Sequence, residues 1–420
     1  MAAVAATYST PHCGWAGGEC LPAYPTPFPD RGIIALVTAG GVGLRRKEGR
    51  GKVDGSTRFT ADLDVPGLAH VQLVLSHLPS ARIRGVETAA AKASPGVLAV
   101  LTGEDLADVE AAGPDKPLAV ERVFYAGQPV AAVVAETEMA AADAAALVEV
   151  DLEELPAVSD PEQAMRSDAP EVLEADAEGA EGDASMHGAA TESESEPVQR
   201  PRNVSSVANY KRGDVGAGLA DSDVVVRGTY RIAGVHHGFI EPHVSVVRPE
   251  PGGGATIWAP TQGPFAVRDE IVKVLDAAPH EVRVISTPVG GGFGGKVMLL
   301  ETLLVLLAQK LRRPLRIALT RQQEFLMGHP APAASFEIEL GAKRDGTLVA
   351  LRARYHYDNG ATGGWHAGIT GSFLGAPTGF PTLRSPATRS RPTRRPPMHI
   401  ARRAGPRRIS PWSRRWTSWL

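Results

Sequence analysis

The pattern of apolar and polar residues predicts two stretches of regular structure, and the first lies between residues 57 and 152. Pro129–Ala135 is an uninterrupted apolar run of strand length, which is typical of a strand buried on both faces. Glu136–Val148 is rich in alanine and has acidic residues in its first turn, so it is predicted to be a helix. Shorter apolar or alternating runs are predicted to be strands at Thr57–Asp62, Ala69–Ser76, Val97–Leu101 and Val148–Leu152.

The second stretch lies between residues 224 and 357 and again mixes strands with helices. Apolar residues recur at helical spacing in Phe265–Ala277, and Val297–Leu311 is apolar on nearly every side, which predicts a buried helix. Asp345–Gly346 separates two alternating runs, Phe336–Leu340 and Leu348–Tyr357, a pattern typical of a β-hairpin. Further strands are predicted at Val224–Ile232, Val244–Arg248 and Val282–Ser286.

These two stretches define the predicted domain organisation. Residues 41–165 are predicted to form a compact α/β domain and residues 211–383 a second domain, so the fold class is α+β. Residues 1–40 contain proline, glycine and small residues without a clear period and are predicted to be an unstructured tail. Residues 166–210 are predicted to be a solvated acidic linker, because the part from Asp168 to Glu196 has ten Asp and Glu residues but no Lys or Arg.

Residues 384–420 differ in composition from the rest of the chain. They contain eleven Arg and six Pro but no Lys, Asp or Glu, whereas the preceding residues contain 33 basic and 47 acidic side chains. One interpretation is a nucleic-acid-binding arm, in which arginines near Trp412, Trp416 and Trp419 bind phosphates and stack on bases. The favoured interpretation is an aberrant end from a shifted reading frame. A one-base shift of the codons for Trp416–Trp419 allows Leu-Asp-Val-Leu, which resembles the rest of the chain.

Composition excludes several classes of protein. With 43% hydrophobic and 22% charged residues, the 420-residue chain is neither disordered throughout nor collagen-like. No apolar run reaches the roughly 20 residues that a membrane helix needs, and the N-terminus lacks the features of a secretory signal, so a cytoplasmic location is expected. The two cysteines, Cys13 and Cys20, are too few for an iron–sulfur cluster, which usually takes four thiolates.

The segment Gly290–Lys296, with the sequence GGGFGGK, is the main candidate for a ligand site and is called the glycine segment below. Its glycines let a ligand approach main-chain N–H groups, and the predicted helix that follows favours an anion there. Gly290, Gly295 and Lys296 match a nucleotide-binding P-loop, but Val297 lacks the hydroxyl group that holds magnesium. A glycine-rich turn without a ligand is a further alternative.

The glycine segment resembles the glycine–phenylalanine segment of the molybdenum hydroxylases of the xanthine dehydrogenase/aldehyde oxidase family. Further motifs of that family follow in the same order: Gly51–Gly55, Phe59–Asp62, Ser76–His77, Ala81–Ile83, Tyr125–Val130, Glu154–Ala157, Glu241–His243, Thr261–Gln262, Arg313–Pro314, Arg321 and Asp358–Gly360. The resemblance covers residues 41–383. It implies a hammerhead-like α/β domain at 41–165, followed by the first part of a molybdopterin-binding α+β domain at 211–383.

The resemblance also implies a function. Members of the family oxidise an aldehyde or a nitrogen heterocycle, with water as the oxygen source, at a molybdenum ion held by molybdopterin, of which a cytosine dinucleotide form is one option. Electrons pass through two [2Fe–2S] clusters to FAD. Because this chain has two cysteines, an iron–sulfur subunit and an FAD subunit are expected as partners, in a dimer of heterotrimers. Neither a nucleic acid nor a membrane is expected as a partner.

Site residues follow from the resemblance by position. Gln262 corresponds to the glutamine that hydrogen-bonds a molybdenum oxygen, a task for which an amide donates without adding charge. Phe293 corresponds to the phenylalanine beside the metal, and no side chain is expected to bind the molybdenum directly. The expected cofactor-binding residues beside these two are Gly291, Gly292, Gly294 and Gly295.

Two departures limit the expected activity. Val297 stands where the xanthine-oxidising members have a carboxylate that holds the purine, so an aldehyde or another heterocycle is the favoured substrate. The family's catalytic glutamate is absent from this chain because it lies farther downstream, and the chain is expected to be inactive alone. A non-catalytic fragment or pseudo-subunit that keeps only partner contacts remains an alternative, as does a P-loop-like phosphate binder.

The histidines and the glutamate around residue 240 are not predicted to form a metal site. His236, His237, Glu241 and His243 have a spacing that fits no standard metal site, and they are interpreted as packing at the end of a strand. Lys296 has two open interpretations, contact with the pterin phosphate or neutralisation of local charge.

Overall fold

The computed structural model describes residues 46–111, 113–172, 203–361 and 382–390, together with positions 370 and 374. The chain divides after Thr57 into two compact units. The described residues of the first unit contain one short helix, α1 (Gly49–Asp54), which ends at Gly55 in a left-handed conformation with φ of 77°. The second unit starts at Arg58 and contains the remaining elements.

Helices and strands alternate irregularly in the second unit. Its helices are α2 (Ala89–Lys92), α3 (Glu138–Ala145), α4 (Pro161–Ala164), α5 (Val215–Ala220), α6 (Pro264–Val274), α7 (Glu301–Leu311) and α8 (Arg321–Met327). Its strands are β1 (Ala69–Leu75), β2 (Ala81–Glu87), β3 (Val97–Thr102), β4 (Arg122–Val123), β5 (Pro129–Ala135), β6 (Glu149–Glu154), β7 (Val204–Arg212), β8 (Val224–Ile232), β9 (Val244–Pro249), β10 (Ala255–Ala259), β11 (Val282–Ser286), β12 (Leu315–Ala318), β13 (Ala334–Ala342), β14 (Leu348–Asp358) and β15 (Thr382–Ser390). The mixture of helices with largely antiparallel strands confirms the predicted α+β fold class.

The largest sheet has seven strands in the order β11-β10-β9-β12-β1-β5-β3. Every residue of β5 is buried, as the unbroken apolar run Pro129–Ala135 predicts. β1 pairs in parallel with β12, and Ala69 lies opposite Leu315. Strands from both predicted domains therefore belong to one sheet. Residues 41–165 contribute β1, β3 and β5, and residues 211–383 contribute β9, β10, β11 and β12.

The main apolar core lies against this sheet. α7 packs against β9 and buries Leu303, Leu304, Val305, Leu307 and Ala308. α6 adds Val267 and Ile271 to the same cluster. This packing fixes the ends of β10 and β11, from which the loops around Gln262 and the glycine segment emerge.

Two smaller sheets complete the described fold. β7-β15-β14-β13-β8 form a five-stranded sheet, and β4-β2-β6 form a three-stranded one. The predicted hairpin is confirmed as β13 and β14, with Leu340 opposite Leu351 and Gly346 in the turn at φ of 90°. Leu351, Ala353 and Tyr355 lie on its buried face, as the alternation predicts.

The predicted strand at Thr57–Asp62 is wrong. Thr60–Asp62 forms a turn of 3-10 helix, because the carboxylate of Asp62 accepts a hydrogen bond from the backbone N–H of Phe59 at 2.9 Å. This local bond offers the backbone an alternative to pairing in a sheet. An acidic residue three positions after a candidate cap was the signal in the sequence for this turn.

Regular structure also crosses two of the predicted boundaries. β7 begins at Val204, inside the segment 166–210 that is predicted to be a linker. Ala169 and Val172 of that segment are buried as well. β15 spans the predicted boundary between residues 383 and 384. Residues 1–45, 173–202 and 391–420 lie outside the described part of the chain, so the two tails and the central part of the linker stay predictions.

The helices of the described ranges are short. The longest, α6 and α7, have 11 residues each, and none of the described helices has the length and apolar character needed to cross a membrane.

Candidate functional site

The glycine segment lies in the connection between β11 and α7. Phe293 has a positive φ of 52°, which is uncommon for a residue with a side chain, and the flanking Gly291 and Gly294 have φ values of 101° and 98°. The segment therefore forms a tight bend that few other sequences could adopt. The ring of Phe293 at its tip is 58% exposed.

Gln262 holds the inner side of this bend. Its side-chain Oε1 accepts hydrogen bonds from the backbone N–H groups of Gly294 at 2.9 Å and Lys296 at 3.3 Å. Its own backbone N–H donates to the carbonyl of Lys296 at 2.7 Å. A Cβ atom on Gly292 would lie 2.5 Å from Gln262 Oε1, so only glycine permits this approach. The structure thus brings Gln262, Gly292 and the adjoining glycines together.

Several hydrogen-bond donors of the bend are left unused. The amide Nε2 of Gln262, an exposed residue, has no acceptor among the described residues. The backbone N–H groups of Gly291, Gly292 and Phe293 likewise have no acceptor within the described ranges. Consecutive backbone donors in a bend with alternating hand form a concave site for an anion or an oxygen-rich ligand. The bend and the adjacent Gln262 amide together carry four such donors.

Glu241 and Lys296 hold the two ends of the bend together, a pairing that the sequence did not indicate. Glu241 Oε2 accepts from the backbone N–H of Gly290 at 2.7 Å and from Lys296 Nζ at 2.7 Å. The side chain of Lys296 is only 1% exposed, and its ammonium group lies 4.6 Å from the centre of the Phe239 ring. Burial lowers the pKa of Lys296, although the hydrogen bond that Lys296 donates to Glu241 opposes that change. Lys296 therefore points into the protein rather than toward a ligand.

The expectation of an anion site at a helix N-terminus is wrong. α7 begins at Glu301 rather than Val297. The buried carboxylate of Glu301 accepts from the backbone N–H groups of Leu299 and Leu300 at 2.8 and 3.0 Å, and its other oxygen accepts from Ser245. A carboxylate of the protein itself thus occupies the helix terminus. Together with the buried Lys296, this removes both phosphate-binding features of a P-loop.

A second buried carboxylate lies beside the segment that carries Glu241. Glu324 in α8 is fully buried, and its carboxylate bonds the ring Nδ1 of His243 at 2.9 Å and the backbone N–H of His243 at 2.7 Å. His236 contacts the backbone carbonyl of Glu324 at 3.0 Å. Burial alone would raise the pKa of Glu324, but hydrogen bonds from His236 and His243 outweigh it and hold that pKa well below its ordinary value.

His237 lies against the glycine segment from the other side. A Cβ atom on Gly295 would be 2.8 Å from its Nδ1. Burial lowers the pKa of His237 to about 4, and the positive charge that His236 and His243 can carry adds to this effect. The imidazole is therefore neutral near pH 7. His236, His237, Glu241 and His243 do lie together, as packing around the end of β9.

Some of these residues are recognisable in the sequence and others are not. Gln262 and the glycines come from recognisable motifs, and the structure places them in one bend. Glu324 carries no such signal, because a charged residue in a short helix ordinarily indicates an exposed position. The pairing of Glu241 with Lys296 joins residues 55 positions apart, although each belongs to a motif that the sequence does show.

Comparison with known proteins assigns both regions of the chain. A family model described as the aldehyde oxidase and xanthine dehydrogenase a/b hammerhead domain matches residues 54–156. A model described as the molybdopterin cofactor-binding domain matches residues 196–380. The second match contains Gln262 and the whole glycine segment.

Individual relatives agree with these matches. The chain is 33% identical to a probable xanthine dehydrogenase subunit of Bacillus subtilis, over 75% of this chain and 40% of that protein. It is 28% identical to the nicotinate dehydrogenase large molybdopterin subunit of Eubacterium barkeri, over 74% of this chain and 68% of that protein. Among solved structures, aldehyde oxidoreductase from Desulfovibrio gigas superposes with a TM-score of 0.72 at 26% identity, over 84% of this chain and 39% of that one. The chain thus spans well under half of two of these three proteins.

Proposed function

The chain belongs to the xanthine dehydrogenase/aldehyde oxidase family, and from this premise we propose that it is the molybdenum-cofactor-binding part of a hydroxylase. The proposed substrates are an aldehyde or a nitrogen heterocycle, with water as the source of the added oxygen. The observation that carries the proposal is the row of unused donors in one bend, formed by Gln262 Nε2 and three backbone N–H groups of the glycine segment.

The residues of the bend fit a molybdopterin-bound metal in the chemistry of their unused hydrogen-bond donors. Pterin, phosphate and metal-oxygen groups are rich in hydrogen-bond acceptors, and the bend offers them the donors Gln262 Nε2 and the N–H groups of Gly291, Gly292 and Phe293. A Cβ atom on Gly292 would lie 2.5 Å from Gln262 Oε1, so glycine at this position lets the Gln262 amide stay against the bend. The described residues contain no cluster of three or more His, Cys, Asp or Glu that could hold a metal directly.

Each group of the bend has a proposed task. When bound, the molybdenum cofactor would supply a two-electron acceptor for oxidation of the substrate carbon, with water as the source of the oxygen. Gln262 Nε2 donates a hydrogen bond toward an oxygen on the cofactor, and its Oε1 stays bound to Gly294 and Lys296. The ring of Phe293, which is 58% exposed, would contact the cofactor and shield it from water.

The remaining parts of the enzyme are proposed to lie on other subunits. We propose that [2Fe–2S] clusters and FAD are carried by separate iron–sulfur and FAD subunits, and that the assembly is a cytoplasmic dimer of heterotrimers. The cofactor is proposed to be molybdopterin, with the cytosine dinucleotide form as one version. Val297 in place of a carboxylate supports a substrate other than a purine.

Molybdenum content tests the proposal. The chain, produced in a host that makes the cofactor, is expected to be purified with molybdenum and pterin, as measured by elemental analysis and pterin fluorescence. Gly292→Ala is expected to lose most of the metal, because its Cβ would displace Gln262. Gly85→Ala is the matched control, since a Cβ atom there meets nothing within 4 Å. Wild-type chain without molybdenum would overturn the proposal and favour a non-catalytic fragment or pseudo-subunit.

A further inference from the structure

The two ends of the glycine segment are joined through a single oxygen atom. Glu241 Oε2 accepts from the backbone N–H of Gly290, where the segment begins, and from Lys296 Nζ, where it ends. The backbone N–H of Glu241 also donates to the carbonyl of Gly290 at 3.3 Å. Gly290 must be glycine for this contact, because a Cβ atom there would lie 2.5 Å from the Cβ of Glu241.

The ion pair between Glu241 and Lys296, which joins the two ends of the segment, is buried. The side chain of Lys296 is 1% exposed and that of Glu241 is 14% exposed, so water competes little for their hydrogen bonds. The Phe239 ring, itself 2% exposed, covers the ammonium group. A buried charge whose partner is removed is strongly unfavourable. Neither member of the pair can therefore leave its position without disturbing the other.

The free donors lie between the two fixed ends. Gly290 N–H is bound by Glu241, and the N–H groups of Gly294 and Lys296 are bound by Gln262. The N–H groups of Gly291, Gly292 and Phe293 are the ones left for a ligand within the described residues. The two acceptors, Glu241 and Gln262, therefore bind the donors on either side of these three N–H groups.

We propose that Glu241 and Lys296 are positioning residues, a buried clamp that closes the glycine segment into a ring and directs its three free N–H groups and the Gln262 amide toward the cofactor. The inference deepens the proposed function and rests on it for the identity of the ligand. It assigns Lys296 to the protein framework and not to a phosphate group. Removing one partner loosens the bend, whereas removing both charges together leaves a neutral junction.

Three variants and one control test the clamp in the full 420-residue chain. Glu241→Gln keeps an acceptor for Gly290 but removes the charge, Lys296→Met keeps the apolar stem but removes the ammonium group, and the double variant does both. Lys343→Met is the matched control, because Lys343 is a partly exposed lysine that pairs with Asp221 at 3.0 Å on the surface. Circular dichroism confirms that each variant is folded.

The first measurement is amide hydrogen exchange in the cofactor-free chain. Both single variants are expected to exchange faster in the peptide that covers residues 286–300, with the rest of the second unit unchanged. The double variant is expected to return toward the wild-type rate, and Lys343→Met to equal the wild type. Single variants that exchange at the wild-type rate would overturn the clamp.

The second measurement is molybdenum retention. Each single variant is expected to hold the cofactor about 10- to 100-fold less tightly, the usual effect of removing a group that orients a metal site from behind. The double variant is expected to recover most of that loss. If Lys296 instead contacts a phosphate of the cofactor, the double variant will be as poor as Lys296→Met, which overturns the inference. If the wild-type chain binds no molybdenum, the proposed function fails, and hydrogen exchange still decides about the clamp.

Discussion

The apolar core of the seven-stranded sheet and the glycine segment are held in place by different forces. β5 and α7 are fixed by many small apolar contacts, and residues such as Leu304 are completely buried. The glycine segment has few apolar contacts and depends on two side-chain acceptors, Gln262 and Glu241. The core therefore distributes its stability over many residues, whereas the geometry of the site rests on single polar atoms.

The largest loss of stability is expected when a buried polar residue is replaced. Glu324→Ala removes the carboxylate that bonds both the ring and the backbone of His243. Because a buried partner is left unpaired, the free energy of unfolding is expected to fall by about 3–5 kcal/mol. Urea denaturation at pH 7 measures the loss.

The control for that variant is an exposed carboxylate. Glu337→Ala removes a group that is 62% exposed and 3.8 Å from Arg354, and is expected to change the free energy of unfolding by less than about 1 kcal/mol. Equal effects of the two substitutions would remove the distinction between a buried polar centre and the surface.

A substitution in the apolar core tests whether the core and the glycine segment are independent of each other. Leu304→Ala creates a cavity between α7 and the sheet and is expected to cost about 2–5 kcal/mol of unfolding free energy while leaving molybdenum retention per folded chain at the wild-type level. Met139→Ala in α3, where the side chain is 75% exposed, is the control and is expected to have little effect. Loss of the cofactor in folded Leu304→Ala protein would show that core and site are not independent.

The smallest expected effect is a change with pH. The folded chain holds His237 neutral, with a pKa of about 4 against an ordinary 6.5, so between these values the unfolded chain binds a proton that the folded chain does not. Stability therefore falls as the pH is lowered, by roughly 1–2 kcal/mol between pH 7 and pH 5 from this residue. His237→Gln is expected to show a correspondingly shallower decrease in denaturation experiments.

Other groups with lowered pKa values also contribute to the change of stability with pH. Burial also lowers the pKa values of His70 and His356, so the wild type and His237→Gln are compared as a difference. Glu324 has a lowered pKa, and its contribution is present above its ordinary value of 4.5 and lost only as the pH falls farther. A difference that is constant from pH 7 to pH 5 would contradict the assignment to His237.

The sequence predicted the parts of the fold that depend on local pattern. β5, β8 and β11 have the predicted bounds, and the β13–β14 hairpin forms around its Asp-Gly turn. The strand predicted at Thr57–Asp62 failed because a side-chain bond to the backbone competes with sheet pairing. The start of α7 was placed too early because Leu299 and Leu300 donate to Glu301 instead of continuing the helix.

Long-range contacts explain what the sequence could not predict. The pairing of Ala69 with Leu315 joins distant parts of the chain and leaves no periodic signal near either residue. The candidate site likewise contains residues that the sequence predicted and residues that it did not. Gln262 and the glycines were identified by motif, whereas the roles of Glu324 and of the Glu241–Lys296 pair depend on burial by segments that are far away in sequence.

The parallel pairing of β1 with β12 has a consequence for synthesis. While the ribosome makes the chain, β1 emerges long before β12 exists, and one edge of the growing sheet stays without a neighbour. A nascent hammerhead region is therefore an incomplete folding unit, and we expect it to attract chaperones or to aggregate when it is made without the residues that follow.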